Sequence, residues 1–250
     1  MNPLDALLAA LAGLGAGFVN AIAGGGTLIS FPALVALGLP TVSANVTSTV
    51  ALVPGFMGGA YAQRAELRDY ARHFRSLLVV SVIGSIIGAV LLLATDDEVF
   101  EGIVPWLILM ACGLLAAQNA IRDRLDHRVV EPSAAMPAWG IGVIGLTAVY
   151  GGYFGAGMGV MLLAVLGVVF AAPLNRLNSL KQALQFAING VAALWFAVAG
   201  PVNWGFAAAV AVGSVVGGSV GGRLVGRIDP TALRAVVIVA GVAIAISFWL

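Results

Sequence analysis

The sequence predicts an all-α integral membrane protein made of two inverted repeats, each with about four spanning helices and one short broken or re-entrant helix. Composition, charge distribution and internal repetition predict this fold class. Of the 250 residues, 61% are hydrophobic and only 9% are charged. A soluble protein needs about a quarter of its residues charged to cover its surface. We therefore expect most of the chain to lie in a lipid bilayer.

Long stretches of the chain carry almost no charge. Residues 6–63 contain no Asp, Glu, Lys or Arg, and residues 132–222 contain only Arg176 and Lys181. A helix needs about 20 apolar residues to cross the bilayer core, and eight segments have about that length. Eight are expected to span: residues 4–23, 43–63, 76–95 and 99–120 in the first half, and 137–156, 176–198, 204–224 and 231–250 in the second.

The chain repeats itself at an offset of 133 residues. Glycine is common here, so the matched Pro and Asn residues carry more weight than the matched glycines. We expect an N-terminal repeat over residues 1–121, a cytoplasmic linker over 122–136 and a C-terminal repeat over 137–250. The matched pairs are Gly24 and Gly157, Gly26 and Gly159, Pro40 and Pro173, Asn45 and Asn178, Ser81 and Ser214, Val82 and Val215, Gly84 and Gly217, and Gly88 and Gly221.

Two apolar segments are too short to cross a bilayer. Residues 27–39 and 160–170 each follow a glycine cluster and end near a proline, Pro40 or Pro173. Glycine interrupts helices, and an interrupted backbone in a membrane must be enclosed by protein or must line a wet cavity. Each half is therefore expected to hold one broken or re-entrant helix.

The positions of Lys and Arg predict the orientation in the membrane. The loop 64–75 and the segment 122–128 are rich in Arg, so both are expected to be cytoplasmic, whereas Asp96, Asp97 and Glu98 are expected outside. If the second half is inverted, Arg176, Lys181 and Arg223 also face the cytoplasm. Parallel halves would place them outside. Inversion is therefore favoured, with both termini outside.

One predicted helix of the second half carries a polar stripe. At 100° per residue, its polar side chains fall within about 60° of one direction. Such a face must point at another helix or at a cavity, and a lysine within a span is a functional candidate. The stripe consists of Asn178, Lys181, Gln182, Gln185 and Asn189, and the first three correspond to Asn45, Ser48 and Thr49 in the first half.

These features predict a binding site for a small anion between the two halves. No Asp or Glu lies in the repeat core to neutralise Lys181. Backbone N–H groups at a helix start also attract negative charge, and Thr27 is expected to cap the first restart. The predicted substrate-binding residues are Gly24, Gly25, Gly26, Thr27, Asn45, Ser48, Thr49, Gly157, Gly159, Asn178, Lys181 and Gln182.

Structural roles for the same residues stay open at this point. Lys181 could extend to the lipid headgroups, and the Asn, Ser and Thr side chains could join helices or cap them. Small-residue ridges are typical of close helix packing, and we expect this role for Gly84, Gly88, Gly213, Gly217, Gly218, Gly221 and Gly222.

Several functional classes are excluded or disfavoured. With a net charge of +1 and no long basic run, nucleic-acid binding has no electrostatic basis. No Cys/His cluster has metal-ligand spacing, so neither a metal nor a cofactor is expected. Catalysis is not expected either, because Ser179 and Lys181 diverge on their helix. A transporter by alternating access is favoured over a passive anion channel, with the bilayer and a small anion as partners and a homodimer left open.

The residues also resemble a known family. The glycine-rich turn of residues 24–27, followed about 20 residues later by Asn45, and its echo in residues 151–190, are similar to the TauE/SafE family of bacterial membrane transporters. The resemblance implies export of sulfite, or of an organosulfonate such as sulfoacetate, across the inner membrane by a multi-pass protein. Uptake of a related anion such as thiosulfate is the alternative. Met158 departs from the pattern, which has glycine at that position of the second turn.

Overall fold

The computed structural model describes residues 2–62, 71–126, 138–170, 174–224 and 227–249. These residues form ten α-helices and no β-strand, which confirms the all-α prediction. The helices are α1 Pro3–Ile22, α2 Thr27–Ala36, α3 Thr41–Ala62, α4 Ala71–Leu93, α5 Asp97–Asp126, α6 Ala138–Tyr153, α7 Met158–Val169, α8 Leu174–Ala199, α9 Trp204–Leu224 and α10 Pro230–Ser247.

Six helices of the described chain are long and apolar enough to cross a membrane: α1, α4, α5, α8, α9 and α10. The protein is therefore a multi-pass membrane protein, although eight such helices were expected. Of the other two, α6 has 16 residues within the described chain and ends at Tyr153, just before the turn at Gly155. Helix α3 has 22 residues but carries six Ser, Thr and Asn residues in its first nine, which lowers its hydropathy.

The short segments form short helices, as expected. Helix α2 has 10 residues and α7 has 12, and each follows a non-helical turn. At 1.5 Å per residue they reach only about half of the hydrocarbon core. Each of them packs against the helix before it and the helix after it, so the interrupted backbone is enclosed by protein.

Two helix pairs make the most extensive contacts of the fold: α1 with α9, and α4 with α6. At the 133-residue offset α1 corresponds to α6 and α9 to α4, so each pair joins one helix of each half. The backbones approach so closely that a Cβ on Gly84 would lie 2.6 Å from the carbonyl oxygen of Gly145. The two halves are interlocked and do not pack as separate bodies.

The packing role predicted for the small-residue ridges is confirmed at five glycines. A Cβ at any of them would meet backbone or side-chain atoms of the partner helix at under 3.0 Å: Gly84, Gly88, Gly213, Gly217 and Gly221. The same prediction is wrong for Gly222, where an added Cβ would have no atom within 4 Å, because this residue borders a cavity.

The mid-chain segment is helical at its start. Helix α5 continues to Asp126, so residues 122–126 of the predicted linker extend the spanning helix. The remainder of that linker, like most of the basic loop 64–75, lies outside the described residues. Helix α5 packs along α10 and also contacts α7, which places its C-terminal end next to the second short helix.

Candidate functional site

Two glycine turns interrupt the membrane helices. The φ angles are +79° at Gly24 and +88° at Gly25 in the first turn, and +77° at Gly155 and +70° at Gly157 in the second. Residues with a Cβ rarely adopt this left-handed conformation, whereas glycine does so at little cost. The glycine clusters therefore end α1 and α6 and allow α2 and α7 to begin in a new direction.

Both turns rest on the middle of α5. A Cβ at Gly25 would lie 2.9 Å from Cδ1 of Leu115, and one at Gly157 would lie 3.3 Å from Cα of Ala111. Because Ala111 and Leu115 are four residues apart on one helix, their backbones are separated by about 6 Å along its axis. The two helix interruptions therefore lie close together, one helical turn apart along α5.

Each turn leaves backbone donors free at the start of a short helix. Among the hydrogen bonds of the described residues, none uses the backbone N–H of Gly26, Thr27, Gly157 or Gly159. The prediction that Thr27 caps α2 is wrong: the cap position is Gly26, which has no side chain to accept a bond. Unpaired N–H groups with the positive end of the helix dipole favour an anion.

A cavity of about 630 Å³ lies against both turns. It is bordered by the last turn of α1, the start of α2, the C-terminal halves of α3, α5 and α9, the start of α7 and the N-terminal half of α8. Its cationic lining residues are Lys181 and Arg122, and no Asp or Glu of the described chain lines it. A cavity with two cations and no carboxylate attracts anions.

Nine of the twelve predicted site residues line this cavity. They are Gly24, Gly25, Gly26, Thr27, Gly157, Gly159, Asn178, Lys181 and Gln182. Lys181 is half-buried and lines the cavity. Gln185, also on the polar stripe of α8, lines the cavity as well, whereas the amide of Asn189 donates to the Gln185 carbonyl at 2.9 Å.

The remaining three predicted residues, Asn45, Ser48 and Thr49, do not line the cavity. Asn45 is buried and donates from Nδ2 to the Tyr153 carbonyl at 2.9 Å. The Ser48 hydroxyl lies 2.6 Å from that of Ser30 on α2. These bonds tie α3 to the two interrupted segments, which is the structural role that the sequence left open. Their part in substrate binding stays a prediction.

Sequence reasoning missed several polar residues of the lining. They are Asn20 on α1, Gln118 and Arg122 on α5, and Ser214 and Ser219 on α9. Arg122 stands in a charged run, which places it in the predicted linker. Gln118 and Arg122 are four residues apart, however, so they share one face of a helix. This spacing indicates a shared lining face only if α5 is known to continue beyond residue 120.

A cluster of buried aromatic side chains lies next to the second glycine turn, since Phe154 directly precedes Gly155. Phe31, Phe100 and Phe154, here called the aromatic cluster, are buried and meet edge to face, with ring centroids 5.5 Å apart for Phe31 and Phe154 and 6.2 Å for Phe100 and Phe154. None of them lines the cavity. At the start of α5, three residues before Phe100, the Asp97 carboxylate accepts hydrogen bonds from Thr41 Oγ1 at 3.1 Å and from the Val42 backbone N–H at 2.8 Å.

Comparison with known proteins decides the family. A family model described as sulfite exporter TauE/SafE matches residues 9–248, nearly the whole chain. The chain belongs to the TauE/SafE family. This agrees with the resemblance of the glycine-rich turns, and the protein is a TauE/SafE membrane transporter.

Curated relatives agree with this membership. A probable membrane transporter protein of Haemophilus influenzae is 28% identical over 231 residues, covering 91% of this chain and 88% of the relative. A probable membrane transporter protein of a Sinorhizobium species is 26% identical, with 92% and 87% covered. YfcA of Escherichia coli, also named a probable membrane transporter protein, is 25% identical, with 90% and 82% covered. No solved structure matches the chain.

Proposed function

We propose that this TauE/SafE transporter carries a small sulfur-containing oxyanion, sulfite or an organosulfonate such as sulfoacetate, across the bacterial inner membrane by alternating access. The observation that carries the proposal is the cavity beside the two glycine turns, whose charged lining residues are Lys181 and Arg122. An oxyanion needs donors from several directions, and the free N–H groups of both turns supply them at the same place. The description of the family as sulfite exporters supports the sulfur oxyanion.

The site suits a ligand that must leave again. Each helix-start contact contributes about 0.3 to 1 kcal/mol, and a charge-assisted hydrogen bond about 1.5 to 3 kcal/mol. The cavity offers a ligand one lysine and one arginine side chain. These contributions add to a weak site, which favours turnover over retention.

Contacts between α3 and α8 support the inverted arrangement of the halves. Ser43, near the start of α3, donates to the carbonyl of Pro201, just after the end of α8, at 2.7 Å. The opposite ends of these two helices also lie together, because Gly55 late in α3 and Asn178 early in α8 both line the cavity. The two helices, equivalent under the repeat, therefore run antiparallel, which is the relation that alternating access by inverted repeats requires.

Export of an anion needs no coupling ion, because the membrane potential can drive it. An inside-negative membrane potential drives an anion outward by about 2.3 kcal/mol per charge per 100 mV. The cavity borders the end of α5 at Arg122, which the positive-inside rule assigns to the cytoplasm, so a cytoplasmic anion could enter from that side.

The test is transport by purified protein in liposomes. Uptake of labelled sulfite, thiosulfate and sulfoacetate would be measured with and without the same unlabelled anion inside. A transporter gives saturable uptake that is accelerated by internal substrate, whereas a passive channel gives neither saturation nor counterflow. Absence of transport for every one of these anions, or flux without saturation, would overturn the proposal.

Lys181→Gln tests the site within the same assay. Loss of a charge-assisted contact worth about 1.5 to 3 kcal/mol lowers apparent affinity about tenfold or more. The matched control is Arg124→Gln, which removes an exposed charge on α5 that does not line the cavity. Equal transport by both variants at equal protein levels would remove Lys181 from the site.

A further inference from the structure

Arg122 brings a second positive charge to the cavity from a different helix. It lies near the C-terminal end of α5 and is exposed, whereas Lys181 on α8 is half-buried. Because both side chains line one cavity, two like charges share this space. The cavity therefore holds two positive charges from different helices.

The nearby carboxylates do not neutralise the positive charge of the cavity. Asp123 follows Arg122 on α5, but its side chain points about 100° away around the helix and does not line the cavity. Asp229 accepts a hydrogen bond from the Thr231 backbone N–H at 2.8 Å, so it serves as the cap of α10. Two cations thus face one space without a counter-charge from the described chain.

One turn before Arg122, Gln118 adds an unpaired polar group. Its side-chain oxygen is buried and has no hydrogen-bond partner within the described structure, although the residue lines the cavity. Buried polar atoms are nearly always paired, so an orphaned amide beside a cavity points to a ligand or water. An amide presents either two N–H donors or an oxygen when it rotates, and the donors would suit an oxyanion held by Arg122.

We propose that Arg122 and Lys181 bind one ligand together, so that the site prefers anions with two negative charges over those with one. This inference rests on the proposed function and narrows its substrate class. A monoanion leaves one of two mutually repelling cations uncompensated, whereas a dianion neutralises both. The guanidinium of Arg122 holds two oxygens of one acid group in its planar fork, and the Lys181 ammonium takes the second charge as a point contact.

Methanesulfonate and methanedisulfonate form a matched pair of probes, because they share the acid group and differ in charge. Their binding would be measured in detergent at low ionic strength, from the concentration of each that half-saturates the thermal stabilisation of the protein. We expect the disulfonate to bind about tenfold more tightly, which corresponds to one additional ionic contact. In Arg122→Gln the ratio should fall to near one, and Arg122→Lys should restore part of it.

Arg124→Gln is the control variant, because it removes an equal charge from the same helix outside the cavity. It should keep the preference of the unmodified protein. Equal affinity of the unmodified protein for the two sulfonates, or an unchanged ratio in Arg122→Gln, overturns the inference. Liposome transport distinguishes failure of this inference from failure of the proposed function. Saturable transport without a charge preference contradicts only the present inference. Absence of transport for every anion contradicts both.

Discussion

Gly17→Ala tests the close helix packing that holds the two halves together. Gly17 on α1 faces the backbone of Ser214 on α9, and a Cβ there would lie 2.7 Å from the Ser214 Cα and closer still to its carbonyl oxygen. Ordinary carbon contacts begin near 3.4 Å, so the two helices must separate by about 0.7 Å or more. Neither neighbour is a flexible side chain, so the strain cannot be relieved locally.

Forcing a methyl group into such a contact costs about 1 to 3 kcal/mol. For a chain of this length, about 2 to 4 °C of melting temperature is lost per kcal/mol, so we expect a decrease of about 2 to 12 °C. Alanine also favours the helix by up to about 1 kcal/mol over glycine, which opposes the loss. Gly113→Ala on α5 is the control. It has the same gain in helix propensity without a packing clash, because an added Cβ there has no atom within 4 Å.

Unfolding can be followed through the single cysteine of the sequence. Cys112 is buried between α5 and α10, with its sulfur 3.8 Å from the Ile238 carbonyl oxygen, so a thiol-reactive dye labels it only when the helices part. The melting temperature of Gly17→Ala should lie below that of Gly113→Ala by the full packing cost. Equal melting temperatures for the two variants would refute the close-packing argument.

Two further predictions concern Asp97 and the aromatic cluster. Asp97→Asn should lower stability by about 1 kcal/mol, because Thr41 Oγ1 and the Val42 backbone N–H both donate to Oδ1, and these bonds weaken when the acceptor loses its negative charge. Asp96→Asn should leave stability unchanged. Equal melting temperatures for the two variants would contradict this. Phe154→Ala removes a ring that is 2% exposed and should cost about 3 to 5 kcal/mol. The milder Phe154→Leu should let labelled sulfite leak through liposomes without saturation, and a variant as tight as the unmodified protein would show that the aromatic cluster is not the barrier.

The helices were predictable because lipid constrains them so strongly. Residues 204–224 were predicted as one helix, and α9 occupies that range. The end of α5 was missed, since residue 120 marks where the apolar run stops and not where the helix stops. Arg122 and Arg124 are good helix formers, and beyond the hydrocarbon core water can solvate both the helix and its charges. Hydropathy therefore locates the bilayer, whereas helix ends depend on local propensity.

The cavity was predictable only in part, because its lining depends on which helices meet. The polar stripe on α8 and the two glycine turns are local patterns, and the structure brings them together. The contribution of α5 is different: nothing near Gln118 in sequence shows that this helix supports both turns. The contacts of Ala111 with Gly157 and of Leu115 with Gly25 involve ordinary apolar side chains. Such contacts carry no sequence signal that separates them from lipid-facing positions.

The proposed inverted-repeat arrangement accounts for the difference between Asn45 and Asn178. The two residues match at the 133-residue offset, yet Asn178 lines the cavity and Asn45 is 1% exposed beside the aromatic cluster. In a pair of inverted repeats, equivalent residues lie toward opposite membrane faces, so a cavity open to one face exposes one member and buries the other. Alternating access would exchange these environments. The unpaired Oδ1 of Asn45 is consistent with this, because a polar atom that is wet in one state must be buried without a partner in the other.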